Sequence, residues 1–220
     1  MLVNTVPRAY TLQGPCLLER WRAPRGGQGG HATPYRALLR GPASCHGCVV
    51  LAWINGPFGV GKTSVAAALR DRTPGSLVFD PEHVGYVVQR LPLVGTRGRD
   101  FQDSSAWRRW TRRAALVLDR SRRGLVIVPM TLVNESYFEE IVGGLRRASV
   151  DVRHFTLTAS AATIRERLRK RGGAGSWTEH QLDRCLSALR DERFARFVST
   201  EARAIDEIAG ELSALLSASS

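Results

Sequence analysis

Gly56-Pro57-Phe58-Gly59-Val60-Gly61-Lys62-Thr63 is a complete G-x-x-x-x-G-K-T stretch, and its reading decides the fold. Ahead of it, Cys48 to Ile54 is an unbroken apolar run suited to a strand buried on both faces. Behind it, Thr63-Ser64-Val65-Ala66-Ala67-Ala68-Leu69-Arg70 reads as a helix. Strand, glycine-rich turn and helix are the context in which this motif cradles phosphate. The glycines let successive backbone N–H groups converge on phosphate oxygens, where a Cβ would obstruct the approach. The helix N-terminus adds unpaired donors and the positive end of a dipole. The expected cradle is Gly56, Pro57, Phe58, Gly59, Val60, Gly61, Lys62, Thr63 and Ser64, with Lys62 reaching the β/γ-phosphates and the Thr63 hydroxyl ligating Mg²⁺. Only two of the 32 basic residues are lysines, Lys62 and Lys170. Where arginine is written almost everywhere else, a lysine at this position meets a need for a compact, flexible ammonium.

Downstream, short apolar segments alternate with helical patterns. The strands expected after the first are Ser76–Phe79, Gly124–Val128, Val152–Leu157 and a fifth near Arg196-Phe197-Val198. That alternation predicts an α/β P-loop NTPase domain over residues 48–220, a five-stranded parallel sheet with helices on both faces. Between strands, Trp107, Trp110, Ala114 and Val117 recur at helical spacing and predict a helix from Ser105 to Arg120 that buries this stripe. Arg108, Arg109, Arg112 and Arg113 take its other faces, most simply as solvated surface. The last helix sets Ile205, Ile208, Leu212 and Leu215 on one side and Asp206, Glu207 and Glu211 on the other. Those acidic residues favour core packing over an anionic-membrane anchor.

Residues 1–47 are rich in Arg, Pro and Gly with weak apolar periodicity, and are expected to be a disordered extension. The net charge of +12 invites a nucleic-acid reading. The arginines are spread along the chain without an RNA or DNA motif, so no nucleic-acid partner is expected. Seven apolar residues from Cys48 to Ile54 cannot span a bilayer. The start of the chain lacks the charged-then-apolar order of a signal peptide, which makes the cytoplasm the expected compartment. Cys16, Cys45, Cys48 and Cys185 are too few for a disulfide framework, and Cys45-His46-Gly47-Cys48 has no second pair to complete a zinc site.

Ligands of an open parallel sheet bind at the carboxyl ends of its strands. Asp80 and Glu82 follow the second strand. Asp80 is suited to take a proton from an acceptor hydroxyl or to hold a magnesium-bound water, a role favoured here over its alternative as the cap of the turn before Pro81. The third strand, ending Pro129-Met130-Thr131, has no terminal Asp, which disfavours a GTPase or mechanical ATPase and leaves Asp80 as the nearest metal carboxylate. Small-molecule phosphoryl transfer fits better. The helix after strand four, Ile164-Arg165-Glu166-Arg167-Leu168-Arg169-Lys170-Arg171-Gly172, resembles the lid region of adenylate-kinase-like enzymes, with Gly172–Ser176 as a short lid hinge. Arg167 and Arg171, four apart, are candidates to converge on the ATP phosphates and steady the transferring phosphoryl group. Glu82, Phe101, Gln102, Asp103 and Trp107 are the candidates for contacting the acceptor, and Phe101 and Trp107 are equally suited to core positions.

With these residues in hand, the chain resembles the TmrB-like tunicamycin-resistance ATP-binding proteins. The resemblance rests on Trp53-Ile54-Asn55-Gly56, Asp80-Pro81-Glu82, Asp100-Phe101-Gln102, Ile127-Val128-Pro129-Met130-Thr131, His154-Phe155-Thr156-Leu157 and Gln181-Leu182-Asp183-Arg184-Cys185. It covers about Val50 to Ala209. It implies ATP binding and protection against an antibiotic that mimics a uridine-diphosphate amino sugar. Of membrane contact it implies at most peripheral association. Two functions follow: a Mg²⁺-dependent kinase acting on a hydroxyl of tunicamycin or a related nucleoside or sugar, or an ATP-dependent binder that sequesters the drug unmodified.

Overall fold

A computed structural model describes residues 49–82, 100–121, 124–172 and 176–218, side chains at 176–181 excepted. The expectations for residues 1–47, and for most of the lid loop, lie outside the described residues. Five strands form one sheet: β1 (Val50–Asn55), β2 (Leu77–Val78), β3 (Leu125–Pro129), β4 (Asp151–Thr158) and β5 (Phe197–Ser199). Their order is β2-β3-β1-β4-β5, and every pairing is parallel. All five expected strands are present and the α/β P-loop class holds.

The first strand sits at the centre, which is why its sequence is apolar at successive positions rather than alternating. Side chains on a strand alternate between faces. Leu51 and Trp53 enter one core with Val126, Val128 and Val152, while Ala52 and Ile54 enter the other with Ile127, Phe155 and Leu157. Helix α1 (Lys62–Arg72) closes the second core with Val65, Ala66 and Leu69. So do α5 (Ala161–Lys170), α6 (Ser176–Ala188) and α7 (Ile205–Ser217), through Ile164, Leu182, Ile208 and Leu212. The first core is closed by α2 (Ser105–Ser121) and by a helical run: α3 (Glu135–Phe138), a π-helical turn (Glu139–Gly143) and α4 (Gly144–Arg147).

Two helix faces differ from expectation. Helix α2 buries Trp107, Thr111 and Ala115, and Trp110 and Val117 are 42% and 62% exposed. Both stripes begin at Trp107 with helical spacing. Packing selects the one with the small residues Thr111 and Ala115, and on the same helix Arg112 lies against Gly144 at the start of α4. The Thr111 hydroxyl is buried there without a partner among the described residues. In α7 the middle of the expected stripe is buried, and its ends Ile205 and Leu215 are exposed. No helix among the described residues is long and apolar enough to cross a membrane.

Candidate functional site

Parallel strands deliver their carboxyl ends to one edge, and the glycine-rich loop leaves β1 at that edge. Gly56, Gly59 and Gly61 all have positive φ, which side chains resist. Space is limiting as well. A Cβ on Gly56 would lie 2.8 Å from the Leu157 carbonyl oxygen, and one on Gly59 would lie 2.8 Å from Leu168 Cγ. The loop is therefore seated against β4 and α5.

A cavity of about 130 Å³ opens in front of the loop. Phe58, Gly59, Gly61, Lys62, Thr63 and Ser64 line one side; Asp80, Glu82, Pro129 and Arg171 line the other. Four elements far apart in sequence thus meet at one mouth. The Lys62 ammonium donates to the Gly56 and Pro57 carbonyl oxygens at 2.9 and 3.0 Å, spanning its own loop. Burial holds its pKa below the ordinary lysine value, an effect opposed by Glu82, Cys185 and Asp80. Asp80 takes the capping role and also stands at the mouth. Its Oδ1 accepts from the Glu82 N–H at 2.9 Å, capping the turn, and the residue lines the mouth. Glu82 Oε1 accepts from the Thr131 N–H at 3.3 Å, which ties the β2 exit to the β3 exit.

The two arginines of α5 part company. Arg171, at the C-terminal end of the helix, lines the mouth and has no ion-pair partner among the described residues. Arg167 does not line it. Its Nη1 donates to Val60 O at 3.2 Å and Thr200 Oγ1 at 2.9 Å, and its Nη2 to Thr200 O at 2.7 Å. Buried carbonyls at a loop junction need donors, and the guanidinium fork supplies them. The convergence expected of this pair is corrected accordingly: Arg167 braces the loop against the β5 exit.

Of the expected acceptor contacts, only Glu82 is at the cavity. Trp107 is 1% exposed, and its indole N–H donates to Pro81 O at 3.2 Å. Gln102 is buried, and its Nε2 donates to Thr131 O at 3.0 Å. Phe101 packs its edge on Trp107 with ring centroids 5.0 Å apart. Asp103 accepts from the Tyr137 hydroxyl at 3.0 Å. Trp107 and Gln102 are thus buried beneath the site; Trp107 props the β2 exit that carries Asp80 and Glu82, and Gln102 props the β3 exit at Thr131.

Asn55 was given no role by its sequence position, yet it is fully buried at the root of the loop. Its Oδ1 accepts from the Gly56 N–H at 2.8 Å and the Leu132 N–H at 2.9 Å, while its Nδ2 donates to Leu132 O at 2.8 Å. A single amide locks the first residue of the cradle to the segment leaving β3. A polar residue closing an otherwise apolar central strand was the available signal.

The protein offers hard oxygen donors at the mouth, the Thr63 hydroxyl and the Asp80 and Glu82 carboxylates, and no cluster of three His, Cys, Asp or Glu among the described residues. Such a sparse oxygen set fits Mg²⁺, which keeps waters and substrate phosphates as ligands.

A family model described as an AAA domain matches residues 51–191. The solved tunicamycin resistance protein of Deinococcus radiodurans is 33% identical with a TM-score of 0.67, covering 76% of this chain and 95% of that one. A sugar kinase from Janibacter is 17% identical at TM-score 0.55, with 77% and 95% of the two chains covered. The APS kinase of Mycobacterium tuberculosis is 19% identical at 0.52, covering 78% and 99%. The latter two are alike in fold alone. No curated protein matches the sequence.

Proposed function

Since the chain belongs to the AAA domain family, and to the P-loop kinase-like group of the Deinococcus radiodurans tunicamycin resistance protein, we propose that it is an ATP- and Mg²⁺-dependent kinase working in the cytoplasm. Its acceptor is a hydroxyl of tunicamycin or a related uridine-diphosphate-amino-sugar-like nucleoside. The observation that supports this reading is the meeting of Lys62, Thr63, Asp80 and Arg171 around one cavity.

In this mechanism the loop N–H groups and Lys62 hold the phosphates, Lys62 exchanging the Gly56 and Pro57 carbonyls for phosphate oxygens. The Thr63 hydroxyl and the Asp80 carboxylate would hold Mg²⁺, which would supply neutralisation of phosphate charge. Asp80 accepts the proton as the acceptor oxygen bonds to the γ-phosphorus, and the bond to the bridging oxygen breaks to release ADP. Arg171, which has no ion-pair partner among the described residues, stabilises charge on the transferred group, and Glu82 orients the acceptor.

Mass analysis of tunicamycin incubated with the protein and Mg-ATP tests it: one added phosphoryl group per drug molecule is expected. Unchanged drug, with ATP either intact or converted only to ADP and free phosphate, sinks it. One observation favours a second reading, ATP-dependent sequestration without chemistry: Asp80 already serves as the cap of the Glu82 N–H. Under that reading, resistance survives Asp80→Ala and is lost in Lys62→Ala.

A further inference from the structure

A second cavity, of about 460 Å³, lies at the opposite edge of the sheet. Its walls come from the start of β4 (Asp151–His154), the end of α4 at Arg146, and the segment leading into β5, which contributes Arg193, Ala195 and Arg196. Asp151 is level with Val50, at the start of β1, and Thr156 is level with Asn55, at the phosphate loop. Five residues of strand separate these levels by about 17 Å. This cavity is not part of the nucleotide mouth.

Its charges are unbalanced. Of the lining arginines, Arg153 pairs with Asp151 and Arg193 with Asp191 and Glu135. Arg146 and Arg196 have no carboxylate partner among the described residues. Arg196 also sits at φ 65, a backbone conformation in which a long side chain is unusual. Its carbonyl accepts from the Thr156 N–H at 3.0 Å, so the sheet itself holds it there. The floor is His154, 4% exposed and packed edge-on to Phe138 and Phe194. Burial and the Arg146 charge together keep that imidazole neutral, so it adds no positive charge of its own. Two unpaired guanidinium groups facing a concave space of ligand size are suited to an anion with several oxygens, since each fork offers paired N–H donors.

We propose that this cavity binds a small phosphate-bearing anion, of the pyrophosphate or phosphate-ester class, between Arg146 and Arg196. The site is independent of the kinase reading. A concave pocket favours a small ligand over an acidic protein surface.

Calorimetric titration of Lys62→Ala protein with inorganic pyrophosphate tests it, because that background weakens the nucleotide loop as a competing phosphate site. A parallel titration of wild-type protein saturated with a non-hydrolysable ATP analogue and Mg²⁺ serves as the second arm. One saturable site is expected in both, weakened at least tenfold by Arg146→Ala with Arg196→Ala. His154 ring signals should move on binding in an NMR titration. If the double alanine variant fails to fold, Arg146→Lys with Arg196→Lys keeps the charge and removes the forks, and should weaken binding at least threefold. The proposal is overturned by no saturable binding in either arm, or by affinity unchanged in the arginine variants. Capture of a poly-glutamate peptide at these arginines without pyrophosphate binding also overturns it.

Discussion

Asn55 and Lys62 show how much of the mouth is set by single side chains. Removing the Asn55 amide leaves the buried Gly56 N–H, Leu132 N–H and Leu132 carbonyl without a partner. Orphaned buried groups cost about 1–3 kcal/mol each, less whatever relaxation recovers. Asn55→Ala is therefore expected to lower stability by about 2–4 kcal/mol, read from the urea midpoint. Nucleotide affinity should fall with it, since Gly56 opens the cradle. Lys62→Ala takes away a charge-assisted contact to phosphate, a loss of about 1.5–3 kcal/mol or roughly ten- to a hundredfold in ATP affinity by calorimetry. The fold should survive, because Lys62 donates only to carbonyls of its own loop. A Lys62→Ala protein that binds ATP at wild-type affinity would remove the loop from the mechanism.

Elements carry the next level of information, and α2 is the instructive case. Its existence and length were legible, because Trp107 and the apolar residues after it keep helical spacing from Ser105 onward. Its orientation was not, since two stripes share Trp107 and only the partner across the interface distinguishes them. Trp107→Ala is expected to cost about 3–5 kcal/mol as a buried aromatic, whereas Trp110→Gln should cost under about 1 kcal/mol. Equal losses in thermal unfolding would return the helix to the stripe that its sequence first suggested. Helix α5 makes a similar point. Arg167 and Arg171 look equivalent by spacing, but the carbonyls of Val60 and Thr200 take up Arg167. Arg167→Lys loses the fork and should destabilise the fold and weaken ATP binding together. Arg171→Lys should lower kcat and leave the melting temperature within a degree or two of wild type, an exposed change of about ±0.5 kcal/mol or less.

At the scale of the whole molecule, the sheet carries a cavity at each of two edges, and pH probes the one away from the glycine-rich loop. His154 titrates near 6.5 when unfolded, and its folded pKa is lowered to about 3 by burial and by Arg146. Between those values the unfolded chain binds the extra proton, so stability falls as pH drops, by up to about 1.4 kcal/mol per pH unit below pH 6.5. The slope ends as pH passes the folded value. Denaturant melts of wild type and His154→Gln from pH 7 to pH 4.5 should diverge by this amount; parallel curves would mean the imidazole is not held neutral. Sequence by itself determined the glycine-rich loop, the five strands and which strand ends line the cavity, because glycine geometry, short apolar runs and chain direction are local properties. It also brought Asp80, Glu82 and Arg171 forward as candidates, since parallel strands and the helices after them deliver their exits to one edge. Tertiary structure alone decided that Arg167 braces rather than faces the mouth, that Trp107 and Gln102 support it from beneath, and that Asn55 locks its root. It alone brought Arg146 and Arg196 together around a second cavity. These outcomes depend on which buried carbonyl or charge each long side chain meets across the fold, and no spacing along the chain encodes that encounter.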